Sequence, residues 1–258
     1  MNDIFSLVGK NAVVIGGAGG IGQAIAKGLA FYGANVSIAS RNLEGLQKAA
    51  KEIEDEVNKP IKVFQVDTGC EESIKSLVEK YVSENGRVDI LVNSQGINIK
   101  HPAQEFNMDD WEKMFNVNVK GLMICCKEFA KVMIKQNYGK IVNVSSVRGA
   151  RACGNGNCGY NSSKGAVDMM TRTLSLELAP YNITVNAIGP SVIATPMMTE
   201  GLFKQQPQLK EILAKNHPLG RLGTPEDMIG ATVFLASDAS SYVTGQIVYP
   251  DGGLTAIG

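Results

Sequence analysis

Residues 13–26 read VVIGGAGGIGQAIA, a β-branched run, then a glycine cluster, then apolar residues at helical spacing. A strand that turns through glycines into a helix is the opening unit of a doubly wound α/β sheet. Glycines at such a turn let backbone amides approach a pyrophosphate, which then sits on the positive N-terminal end of the helix. Two frames fit: Gly17, Gly19 and Gly22 satisfy G-x-G-x-x-G, and Gly16, Gly20 and Gly22 satisfy G-x-x-x-G-x-G. The competing reading is a tight turn with no ligand, and the clean strand before it and helix after it weigh against that.

Outward from this unit the same alternation continues. NAVVI (11–15), ANVSIA (34–39), IKVFQV (61–66), DILVN (89–93), GKIVNV (139–144), ITVNAI (183–188) and GQIVYP (245–250) read as strands. Helical spacing of apolar residues runs over 21–32, 43–58, 72–84, 111–133, 160–178 and 225–235. Strands alternating with helices specify a parallel sheet with helices on both faces, and the whole chain, 1–258, is expected to form one dinucleotide-binding and catalytic domain. Thr224 at the N-cap, Pro225 at the first helical position and Asp227 two residues on mark the start of the last helix. The long irregular stretch 189–218, with Met197, Met198, Leu202, Phe203 and four prolines, reads as a substrate-covering loop or short helices.

Composition narrows the function classes. The 25 basic and 25 acidic residues cancel, so no long-range field draws in nucleic acid or anionic lipid. MNDIFSLVGK lacks a signal-peptide pattern and no apolar run reaches a membrane span, which predicts a soluble, cytoplasmic protein. Five cysteines, an odd number, imply no disulfide framework. Cys153 and Cys158 lack C-x-x-C spacing and have no histidine nearby in sequence, so no metal site is expected; the GNGN between them reads as a mobile loop with the cysteines as small apolar fillers.

The chemistry concentrates in RACGNGNCGYNSSKG (151–165). Tyr160 and Lys164, four residues apart, fall on one helix face, where an ammonium can lower a phenol's pKa and make it a usable acid or base. Ser146 follows the strand GKIVNV, at the carboxyl end where a hydroxyl could hold a substrate oxygen. At the end of ANVSIA, where an NAD enzyme would supply an acid for the ribose 2′-hydroxyl, the chain has Ser40 and Arg41, which points to NADP; a solvated surface arginine is the other reading. Arg148, Arg151, Asn155 and Asn157, with Asn98, Lys100 and His101, suggest a polar or anionic substrate, or else a surface loop.

Gly16, Gly20 and Gly22, then Asp67, Asn93 and Gly96, Asn118 in NVNVKG, Ser146, Tyr160, Lys164, VNAIGP and LASDASSYVTGQIVYPDGG follow in order, and on these residues the chain resembles the short-chain dehydrogenase/reductase family from Gly9 to its C-terminus. The resemblance implies hydride transfer between a secondary alcohol and a ketone with NADP, or NAD, as cofactor. It implies that Tyr160 is the acid/base, that Ser146 orients and polarises the carbonyl or alcohol, and that Lys164 binds the nicotinamide ribose and lowers the Tyr160 pKa. Asn118 would anchor a water that relays protons, Asp67 with Thr68 would meet the adenine, and Thr195 would contact the carboxamide. Ile21, Asn93 and Gly96 complete the implied cofactor contacts. A homotetramer is also implied, with MMTRTLSLELA and GLMICC apolar enough to serve as its interface.

Three places depart from the family pattern: Ile15 where a threonine is usual, NSQG (93–96) in place of NNAG, and Gly189–Pro190–Ser191 in place of Ala-Pro-Gly. NAIGPSVIATP and DGGLTAIG look like the gluconate 5-dehydrogenase branch, which implies a sugar acid, sugar or polyol as substrate. A 3-oxoacyl thioester reductase and a non-catalytic NADP-binding regulator are the alternatives.

Overall fold

The computed structural model describes residues 3–196 and 198–257. Its strands are β1 (Asn11–Ile15), β2 (Asn35–Ser40), β3 (Lys62–Gln65), β4 (Ile90–Asn93), β5 (Gly139–Val144), β6 (Ile183–Ile188) and β7 (Ile247–Val248). They form one parallel seven-stranded sheet of order β3-β2-β1-β4-β5-β6-β7, in which Ile15 lies between Ala39 and Asn93. The winding direction reverses between β1 and β4, and the crevice at the carboxyl ends there is where such sheets take ligands.

The helices are α1 (Gly20–Phe31), α2 (Leu43–Val57), α3 (Glu71–Asn85), α4 (Met108–Phe115), α5 (Leu122–Gln136), α6 (Val147–Ala150), α7 (Cys158–Leu178), α8 (Phe203–Gln205), α9 (Pro207–Lys215) and α10 (Ile229–Ala236). Side chains alternate across a strand, so β1 feeds both cores. Ala12 and Val14 pack with Ile25 and Leu29 of α1, Leu46 and Ile53 of α2 and Val233 of α10. Val13 and Ile15 pack with Ile74 of α3, Phe129 of α5 and Val167 of α7. This two-sided burial is why the strands read as continuous apolar runs.

Two expected helices are interrupted. The segment 111–133 holds a π-helical turn, Asn116–Gly121, between α4 and α5. Apolar spacing does not register one extra residue per turn, so the sequence shows a single helix there. The segment 225–235 begins as a 3₁₀ turn, Pro225–Met228, ahead of α10; Thr224 and Asp227 form the expected capping box. The irregular stretch 189–218 resolves into α8 and α9 preceded by a π turn, Met198–Leu202; Met197 lies outside the described residues.

Candidate active site

The glycine turn decides between the two frames. Gly16 and Gly20 have φ of +80° and +53°, a region that suits glycine, and a Cβ on Gly22 would stand 2.2 Å from the Gly16 carbonyl oxygen. The frame is therefore Gly16–Gly20–Gly22. Gly16 lies on the Ser94–Gln95 peptide of the next loop, where a Cβ would come within 2.8 Å of Gln95 N. Gly19, the N-cap of α1, offers no side-chain cap and faces open space. The first amides of α1 thus open on a cleft that a diphosphate fits.

That cleft, about 270 Å³, is walled by Gly19, Ile21 and Gly22 on one side and by Ser146, Tyr160 and Lys164 on the other, with Gly96 and Thr195 between. The methyl of Thr195 lies over the glycine turn, 3.2 Å from where a Gly20 Cβ would be. Ser40, Arg41, Asp67 and Thr68 lie outside it, on the β2 and β3 side of Gly16. Ser40 Oγ is buried without a hydrogen-bond partner among the described residues, Arg41 is exposed, and Asp67 accepts from the Gly69 amide at 2.9 Å. An orphaned hydroxyl beside an exposed guanidinium at the end of β2 suits a ribose 2′-phosphate.

Asn93 corrects the expectation of a cofactor contact. It is fully buried and donates to Asn143 at 3.0 Å, tying β4 to β5, because strand alternation turns its side chain into the core.

Tyr160 stands in the first turn of α7, brought there by Gly159, whose Cβ would stand 2.7 Å from Met114 and 2.9 Å from Phe106. Lys164 lies one turn on, its ammonium 5.7 Å from the centre of the Tyr160 ring, donating to the Val144 carbonyl at 2.9 Å. Ser146 caps α6, accepting from Arg148 N at 3.1 Å and donating to the Pro190 carbonyl at 3.3 Å. Burial drives the Lys164 pKa down to about 8, while the nearby Asp168 carboxylate pulls it back up. Burial also pushes the Tyr160 phenol up, against the Ser146 hydroxyl and the Arg148 charge, which favour the ionised form. Desolvation thus outweighs the groups that favour the ionised phenol.

Asn118 sits in the π turn and is fully buried. Its Oδ1 accepts from Ile97 N at 2.8 Å, and its Nδ2 donates to Ile97 O at 2.9 Å and Ser163 Oγ at 3.0 Å. Both amide hydrogens are therefore spent within the protein, so the side chain clamps the loop after β4 and keeps one lone pair of Oδ1 free. The clamp passes beside Gly96, where a Cβ would be 3.5 Å from both Asn118 Oδ1 and Lys164 Nζ.

The expected substrate residues separate. Arg151 donates to the Leu254 carbonyl and so anchors the C-terminal segment. Asn155 is exposed, in the left-handed region at φ 57°, and lines a neighbouring depression of about 720 Å³ with Lys100, His101 and Cys158. The Arg148 guanidinium lies close enough to Tyr160 to favour its ionised form, and it has no ion-pair partner among the described residues. The GNGN segment is not a loose flap. Asn157 is buried, donates to Gly154 O at 2.8 Å and accepts from Asn98 at 3.1 Å, while His101 N donates to Gly156 O at 3.2 Å. Cys158 is exposed and Cys153 half-buried, so they are not core fillers; Cys125 and Cys126 are.

Residues that sequence reasoning did not select also shape the site. Asp168, buried one turn beyond Lys164, accepts from Ser145 Oγ next to Ser146. Ser191, on the cleft wall, is hydrogen-bonded to His217 at 3.0 Å. The only advance signal was Asp168 at i+4 from Lys164 on the same helix face.

A family model described as enoyl-(acyl carrier protein) reductase matches residues 16–255. The 3-oxoacyl-(acyl carrier protein) reductase of Thermotoga maritima is 41% identical over 252 residues, 96% of this chain and 98% of that protein. The gluconate 5-dehydrogenase of Gluconobacter oxydans is 37% identical over 254 residues, 98% of this chain and 97% of that protein. The crystal structure of a gluconate 5-dehydrogenase from Burkholderia cenocepacia, in complex with NADP and tartrate, superposes with a TM-score of 0.93 at 33% identity, covering 99% of each chain. A glycine turn facing a Ser–Tyr–Lys wall, on a sheet shared with such relatives along nearly its full length, shows that the chain belongs to the short-chain dehydrogenase/reductase family.

Proposed function

We propose that this protein is an NADP(H)-preferring oxidoreductase that interconverts the ketone and secondary alcohol of a sugar acid of the ketogluconate kind, working as a cytoplasmic homotetramer. The carrying observation is that Ser146, Tyr160 and Lys164 wall the same cleft as the uncapped N-terminus of α1. Bound nicotinamide supplies the hydride acceptor or donor; the chain's own side chains do the rest. In reduction the Ser146 hydroxyl turns from Pro190 to hold the carbonyl oxygen. Tyr160 gives its phenolic proton to that oxygen as the carbon is reduced, and the phenolate left behind faces the Lys164 ammonium and the Arg148 charge. Lys164 spends one N–H on Val144 and has two left for a ribose.

For the sugar acid, Arg148 supplies a cation near Tyr160 that has no ion-pair partner among the described residues, and the gluconate 5-dehydrogenases of Gluconobacter oxydans and Burkholderia cenocepacia supply the precedent. The Thermotoga maritima relative supports the second reading, a 3-oxoacyl thioester reductase. A panel of ketogluconates, ketoses and an acetoacetyl thioester, each with NADPH and NADH, decides. Ketogluconate should turn over fastest with NADPH; a faster thioester overturns the sugar-acid reading. Cofactor binding without turnover of any carbonyl would make the protein a regulator. Arg41→Ala should weaken NADPH by about ten- to a hundred-fold and leave NADH nearly unchanged. Equal loss of both cofactors would remove Arg41 from the phosphate.

A further inference from the structure

Gln95, in the NSQG that follows β4, lines the cleft between the glycine turn of α1 and the wall of Ser146 and Lys164. It is 8% exposed, and neither its Nε2 nor its Oε1 has a hydrogen-bond partner among the described residues. Among the described residues Ser40, Tyr81, Asn93 and Thr184 each leave a single buried oxygen without a partner; Gln95 leaves its whole polar head so. A buried amide with both ends unpaired carries a desolvation cost that nothing among the described residues offsets. The backbone beneath it has little room to shift, because Gly16 is packed directly on the Ser94–Gln95 peptide.

The chemistry of the missing partner follows from the two atoms. Nε2 needs an acceptor and Oε1 needs a donor. A diphosphate offers acceptors only, and the α1 amides already face it. A sugar hydroxyl offers both. We propose that the Gln95 amide, shut away from the cleft as it stands, turns into it and binds the ribose hydroxyls of the dinucleotide, Nε2 donating to and Oε1 accepting from them, so that cofactor binding satisfies a side chain that has no partner among the described residues. The proposal rests on the dinucleotide reading of the cleft but not on the choice of NADP over NAD, since both carry ribose hydroxyls.

Gln95→Met keeps the length of the side chain and removes both polar groups. It should melt at or above the wild-type temperature, because a buried unpaired amide is gone. In fluorescence titrations it should bind both NADPH and NADH about five- to fifty-fold more weakly. Adenosine 2′,5′-bisphosphate, which carries the adenosine ribose alone, separates the two sugars. A matching loss with this fragment assigns Gln95 to the adenosine ribose, and a loss seen only with the whole dinucleotide assigns it to the nicotinamide ribose. Either supports the proposal. Binding of both dinucleotides within about twofold of wild type overturns it. If the methionine variant does not fold, Gln95→Ala is read by the same titrations. A wild type that prefers NADH overturns only the NADP assignment, whereas a wild type that binds neither dinucleotide overturns that assignment and the Gln95 proposal together.

Discussion

Tyr160 and Lys164 are shifted in opposite directions by one cause. Burial penalises whichever form is charged, which raises the phenol and lowers the ammonium to about 8. The protonated phenol is the form that gives a proton in the reduction direction. Tyr160→Phe keeps the ring and deletes that proton; turnover should fall by about a hundred- to ten-thousand-fold with cofactor affinity nearly unchanged. Near-normal turnover in a steady-state assay would place the acid elsewhere. Lys164 is charged below its pKa and neutral above it, so kcat/KM for reduction should decline as pH rises through about 8. Asp168 attracts the ammonium and raises its pKa. Asp168→Asn should therefore move the declining limb to lower pH, and an unmoved limb would uncouple the two residues.

At the scale of elements, the π turn Asn116–Gly121 turns a helical asparagine into a clamp on the loop after β4. It depends on Gly121, where a Cβ would stand 2.4 Å from the Thr68 carbonyl oxygen. Gly121→Ala should force α5 away from Thr68, at a cost of about 1–3 kcal/mol in a denaturant titration. It should also lower turnover, since Asn118 would lose its register with Ile97. Full stability with full activity would show that the clamp does not need the π turn. The glycine turn was legible in the sequence because its requirement is local: Gly16 and Gly20 take backbone angles that suit glycine. The π turn was not, because it is held by contacts to Thr68 and Ile97, far along the chain.

At the scale of the whole molecule, α4, α5 and α7 present an unpartnered apolar face. Met123 in α5 and Met169 and Leu176 in α7 are exposed, and Trp111, Phe115, Val119 and Met170 line a groove of about 950 Å³. Exposed apolar surface of this extent suits contact between copies. Sedimentation at micromolar concentration should give a tetramer mass, and Leu176→Glu should lower it without changing the circular dichroism. A wild-type monomer would overturn the tetramer. The sequence alone determined the alternation of strands and helices, the Tyr160–Lys164 face and the presence of a glycine turn, since each follows from periodicity or spacing within a few residues; the strand order and the frame of that turn came from the tertiary structure. Tertiary structure alone decided what the polar side chains do. Arg151 is spent on Leu254, 103 residues away, and Asn157 on Asn98, 59 residues away, while Gln95 has no partner among the described residues. A donor is indifferent in sequence to which acceptor it meets; only the packing of distant elements determines which one lies within hydrogen-bond reach and which is shut away from water.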